Sequence, residues 1–119
     1  MNITIISEKI ARRGKIITLK VDEREVTLLL TNHLLNAAEE YDVGMKRVLS
    51  ALLFPDEVVR GHSGRFVAHK LLNDYLIRVV YGYENNVPVV ITLYIARKGS
   101  TLEVVFMKIK YYPVRIYLR

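Results

Sequence analysis

The hydrophobic pattern changes its period twice along the chain. Residues 2–31 alternate, residues 31–54 repeat at helical spacing, and residues 57–112 alternate again. "NITIIS" (2–7) reads as a short edge strand, and "EKIARRG" (8–14) as a basic turn or short helix ending at Gly14. "KIITLKV" (15–21) and "EVTLLLT" (25–31) are strands, and "DER" between them predicts a hairpin. Thr31 or Asn32 then caps a helix over "HLLNAAEEY", with Leu34, Leu35, Ala38 and Tyr41 at helical spacing. Asp42-Val43-Gly44 breaks it. "MKRVLSALLF" (45–54) is a second amphipathic helix: Met45, Val48, Leu49, Leu52 and Leu53 form one stripe, and Pro55 stops it.

Beyond Pro55, "EVVRG" (57–61), "GRFVAHKLL" (64–72), "YLIRVVYGY" (75–83) and "VPVVITLYIAR" (87–97) read as successive strands. The turns "HSG", "ND" and "ENN" are short enough for antiparallel pairing. "STLEVVFMKIKYY" (100–112) is a further strand, which Pro113 confines to an edge. The predicted class is α+β: two helices from the N-terminal half pack on an antiparallel sheet, preceded by a β-hairpin, in a single domain. Strict alternation in residues 87–97 puts Val89, Ile91, Leu93 and Ile95 on the core face. Thr92, Tyr94 and Lys98 fall on the other.

Charge changes the picture more than composition does. The 119-residue chain carries a net +6. Residues 1–57 hold eight Lys/Arg against nine Asp/Glu, whereas residues 58–119 hold ten against three, so the excess lies wholly in the second part. A basic excess of this kind favours a polyanionic partner; a solvated, thermostable surface is the plainer reading. The absence of Cys removes disulfide and thiolate chemistry and fits a reducing or a hot compartment. The three His show no ligand spacing, so no metal is expected. No apolar run approaches the roughly 20 residues of a membrane span, and the N-terminus lacks a signal-peptide layout. A cytoplasmic location without membrane association is expected.

Several residues have the chemistry to act on a phosphodiester. His33 follows the capping pair at a helix start, where free N–H groups attract phosphate; alternatively it packs over Leu28 or Leu30. Arg65 and His69 lie four apart in one strand and so share a face. Arg78 sits between Leu76 and Val80 on its face, and a charge in apolar surroundings needs a partner. That partner is a phosphate, or a carboxylate among Glu39, Glu40 and Asp56. His69 is an alternative base, and His62, in "GHSG", reads as solvated. Arg65, Lys70, Arg97 and Lys98 are the candidate nucleic-acid contacts.

Four pieces in order carry a resemblance: "TNHLLNAAEEYDV" (31–43), "LFPDEVVRG" (53–61), "GRFVAHKLLNDYLIRVVY" (64–81) and "VVITLYIARK" (89–98). Together they resemble the domain-of-unknown-function family 4258, within the RelE-like (barnase–EndoU–colicin–RelE) superfamily of small ribonucleases and toxins. The likeness covers residues 31–98. It places His33 at the helix start, Gly64-Arg65 at a strand start, Arg78 at the head of the Arg-Val-Val-Tyr strand, and Thr92 and Tyr94 at the end. Where that family often has an Arg one turn after its His, this chain has Ala37. "MKIKYYPVRIYLR" (107–119) is similar to the opening of short β-rich proteins encoded beside such toxins as antitoxins.

The resemblance implies a RelE-like fold and a metal-independent RNA endonuclease of a type II toxin–antitoxin system, without cofactor, cleaving by attack of the 2′-OH. His33, Arg65, Arg78, Thr92 and Tyr94 would form its site. Its partners would be RNA, ribosome-bound mRNA included, a small antitoxin and a second copy of the chain. The alternative is a degenerate toxin fold that binds nucleic acid or protein without catalysis. A third reading is an accessory protein that dimerises through its C-terminal strand.

Overall fold

β-Branched and aliphatic residues at alternating positions draw most of the chain into one sheet. A computed structural model describes residues 2–97. The order is β1 (Ile3–Ala11), β2 (Gly14–Val21), β3 (Arg24–Thr31), α1 (Asn32–Glu40), α2 (Met45–Leu53), β4 (Glu57–Arg60), β5 (Phe66–Leu72), β6 (Tyr75–Glu84) and β7 (Val87–Arg97). The architecture is α+β, two helices against a seven-stranded sheet of order β1-β2-β3-β7-β6-β5-β4. Two antiparallel meanders, β1–β3 and β4–β7, meet where β3 runs parallel to β7 through Leu29↔Val89 and Leu30↔Val90. The sheet is therefore mixed, not purely antiparallel. The reason is topological: α1 and α2 carry the chain from one edge of the second meander to the other, so its last strand returns beside β3.

Core residues lie on the face that the helices cover. Ile17, Leu19, Leu28 and Leu30 from β2 and β3, and Ala68, Ile77, Val79, Tyr81, Val90 and Leu93 from the second meander, meet Leu34, Val48, Leu49, Leu52 and Leu53. Thr31 fixes how α1 leaves the sheet. Its Oγ1 accepts from Leu34 N–H (3.1 Å) and donates toward the carbonyls of Val90 (3.0 Å) and Ile91 (2.9 Å). One hydroxyl thus caps the helix and braces the parallel join.

The structure corrects two further sequence expectations. Residues 8–11 are not a basic turn or short helix. They continue β1, because cross-strand partners override the helical propensity of "EKIARR": Glu8 pairs with Ile17, Lys9 with Ile16 and Ile10 with Lys15. Gly14 closes this hairpin at φ +153°, and a Cβ there would lie 1.9 Å from the Leu30 carbonyl oxygen. The second correction concerns β7. A bulge pairs Val80 with Thr92 but Tyr81 with Val90, leaving Ile91 as the extra residue. The alternation slips by one, so Val90 joins Leu93 in the helix-side core, while Val89 pairs with Gly82 on the other face. Residues 100–112, expected as a strand, lie outside the described residues, as does Lys98.

Candidate nucleic-acid interface

The two-residue turn Asn73-Asp74 sets the register of β5 and β6, with Leu72 opposite Tyr75 and His69 opposite Arg78. On one side Glu57 pairs with His69. On the other, the bulge brings Tyr94 rather than Leu93 opposite Arg78. Glu57, His69, Arg78 and Tyr94 therefore form a row across four strands, on the face away from the helices.

Their contacts run along that row. Glu57 Oε2 lies 3.0 Å from His69 Nδ1. A carboxylate only accepts, so Nδ1 carries the proton in this pair and Nε2 is turned toward Arg78. Arg78 Nε donates toward it at 3.5 Å, the outer limit of a hydrogen bond. The guanidinium carbon stands 5.3 Å from the centre of the Tyr94 ring. His69 is buried, and Arg78 nearly so at 9% exposure. Desolvation pushes the Arg78 guanidinium below its ordinary pKa, and the Tyr94 oxygen opposes that shift.

This row opens into a cleft of about 450 Å³ between β5–β7 and the β4–β5 loop. Arg60, His62, Arg65, Arg78 and Tyr94 line it, with Val67 and Val80 as its floor. No described carboxylate lines this cleft. Three guanidinium groups gathered in one lining make a local field suited to phosphate.

A second cleft, of about 310 Å³, adjoins the first. Arg65 lines both. Its Cγ lies 3.7 Å from where Gly82 would carry a Cβ, so the arginine stem rests on backbone left bare by glycine. His33, Thr31 and Arg13 form the far wall. Arg13 comes from the β1–β2 hairpin, which the start of α1 holds in place. Asn32 N–H donates to Arg13 O (2.8 Å), and Asn32 Nδ2 donates to Arg12 O (3.3 Å). The Arg13 side chain pairs with both oxygens of Glu84, at 2.7 and 3.0 Å. That hydrogen bond raises the Arg13 pKa and lowers that of Glu84.

The expected site residues are thus divided. Arg65, Arg78 and Tyr94 converge on the first cleft. His33 stands in the second and meets the others only through Arg65. Thr92 is buried opposite Val80, next to the row. Lys70 turns to the helix side, where Nζ donates to Phe54 O (2.8 Å) and lies 3.9 Å from Asp56 Oδ1, so it is remote from both clefts. Arg97 ends β7 opposite Tyr75. Arg78 meets His69 and Tyr94 instead of Glu39, Glu40 or Asp56 among the contacts described above. Ala37 faces the core, at 8% exposure.

Sequence reasoning missed Glu57, Arg13 and Arg60. The Glu57–His69 pairing had a weak signal, an acid and a His in consecutive strands; Arg13 had none while its segment read as a turn. Among the described residues, no three His, Asp or Glu side chains cluster as metal ligands do, and no helix is long and apolar enough to cross a membrane. Comparison of the chain with protein-family models, with curated proteins and with solved structures finds no match.

Proposed function

We propose that this chain is a RelE-like toxin that binds single-stranded RNA in the arginine-lined cleft and cleaves it without a metal. One observation carries the reading: Arg65, Arg78 and Tyr94, from a loop and two strands, converge with Arg60 and His62 in a cleft lined by no described carboxylate. Two helices followed by an antiparallel meander support the RelE-like assignment. Arg65 and Arg78 hold the scissile phosphate as charge builds, Tyr94 stacks on or hydrogen-bonds a base, and an imidazole takes the 2′-OH proton as the 2′-oxygen bonds to phosphorus; the P–O5′ bond breaks and the 5′-oxygen takes a proton from that imidazolium or from water. His33 is the residue assigned by resemblance, and His62 is the imidazole in the cleft itself. A small antitoxin would silence the protein by covering this cleft.

The test is a chimeric RNA with one deoxy-substitution at a mapped cut site, incubated with and without EDTA. Cleavage should persist in EDTA, require the 2′-OH and leave a 2′,3′-cyclic phosphate. Loss of the proton-transfer imidazole, by His33→Ala or His62→Ala, should slow cleavage about 10²–10⁴-fold with little loss of binding. Cutting of the deoxy-substituted bond, or a strict metal requirement, overturns the mechanism. A second reading, a toxin fold that binds RNA without cutting it, is favoured by the separation of His33 from Arg78 and Tyr94. Binding of the intact oligonucleotide with no cleavage would decide for it.

A further inference from the structure

The second cleft has a cationic side chain that is already engaged. Arg13 is half-exposed, as is Glu84. Glu84 is the one carboxylate among the described residues that line the cleft. The pair is bidentate yet solvated, so it is well directed but weak. Arg65 joins this cleft to the first. An RNA strand held on Arg65 therefore reaches Arg13 by continuing in one direction. Nothing else in the cleft's described lining competes with phosphate for that guanidinium.

Resting on the RNA-binding reading above, we propose that the second cleft is a further phosphate subsite whose ligand is Arg13. Glu84 acts there as a built-in competitor for the incoming phosphate. The backbone of the β1–β2 hairpin is fixed by Asn32, so only the side chain must move. Exchange of Glu84 for a phosphate oxygen replaces one charge-assisted pair by another. The site is thus occupied in the free protein by a mimic of its ligand. This predicts an unusual asymmetry. Removing the arginine weakens binding, whereas neutralising the acid strengthens it.

The experiment is fluorescence anisotropy of the full chain with a labelled 2′-O-methyl hexauridylate, which resists cleavage, titrated across a series of salt concentrations. Glu84→Gln should tighten binding about two- to fivefold, the worth of one exposed ion pair. Arg13→Ala should weaken it by a similar factor and lower the salt slope by about 0.7, one phosphate contact on a single strand. A dinucleotide too short to span both clefts should show neither effect. If Arg65→Ala weakens hexauridylate binding while Arg13→Ala and Glu84→Gln leave it unchanged, the second subsite is overturned and the first cleft stands. If the unaltered protein binds no RNA, the functional reading itself falls. Thermal melts of both variants, expected within a few degrees of the parent, separate lost contacts from lost fold.

Discussion

His69 lies directly between Glu57 and Arg78, and the magnitudes say which neighbour holds the arginine. A well-formed hydrogen bond to a charged group contributes about 1.5–3 kcal/mol, so the 3.5 Å contact to His69 lies at the low end at most, still above an exposed cation–π contact at about 0.5–1 kcal/mol. Tyr94 is exposed and His69 buried. His69→Ala should therefore cost about 2–3 kcal/mol in urea denaturation, and Tyr94→Leu less than about 1. Equal losses would mean that the ring, not the imidazole, fixes Arg78. Gly14 gives a second expectation. A methyl group 1.9 Å from Leu30 O, at φ +153°, cannot be placed without moving backbone. Gly14→Ala should cost about 2–3 kcal/mol, measured the same way. The Arg13–Glu84 pair gives a pH dependence. Because the folded pKa of Glu84 is depressed, its contribution is complete above the ordinary carboxylate range and vanishes as pH falls through the folded value. Parent and Glu84→Gln should differ in stability near neutrality and converge in acid; a constant difference would rule out the ion pair as its source. At this scale the sequence was half legible. Turn length alone pairs His69 with Arg78, but the bulge at Ile91, which brings Tyr94 opposite Arg78, leaves no mark in a run of apolar residues.

Apart from the slipped alternation in β7, the elements from residue 15 to residue 97 follow the periodicity closely, because long alternating or amphipathic runs leave few other ways to bury their apolar face. The second half of β1 did not. Its residues are largely exposed, Ile10 at 86%, so burial contributes little and the partner strand decides its conformation. The consequence is an edge that no other described strand covers, with Ile6 and Ile10 exposed and a bulge between Ile5 and Ser7. The join at Thr31 is the opposite case, a small contact with many dependents. Thr31→Ala removes the α1 cap and the bonds to Val90 and Ile91 together. A cap alone is worth about 1 kcal/mol, so a loss of about 2 kcal/mol or more in thermal or urea melts would show that the brace matters as well as the cap. Thr31→Ser keeps both hydroxyl roles and should recover most of it.

Across the whole molecule, part of the basic charge gathers in one place. Arg60, Arg65 and Arg78 line one cleft, and Arg13 adds a cation from the half whose net charge gave no hint of it. RNA affinity should fall steeply with salt, and Arg65→Ala, which touches both clefts, should cost about 1–3 kcal/mol of binding. An affinity that ignores salt would separate binding from this surface. The parallel join between β3 and β7 has a consequence for the same ligand. Among the described residues the backbone ladder between the two meanders is two residue pairs long, Leu29↔Val89 and Leu30↔Val90, with Thr31 and the Arg13–Glu84 pair beside it. The second cleft takes Arg13, Thr31 and His33 from one side of that seam and Arg65, Gly82 and Glu84 from the other. An oligonucleotide bound there clasps both halves, so transient parting of the seam would first require its release. By mass action, ligand at a hundred times its Kd deepens such an opening by about 2.7 kcal/mol. Deuterium uptake at residues 29–31 and 89–91 should therefore slow when hexauridylate is bound, while uptake at the exposed β1 edge stays as it was.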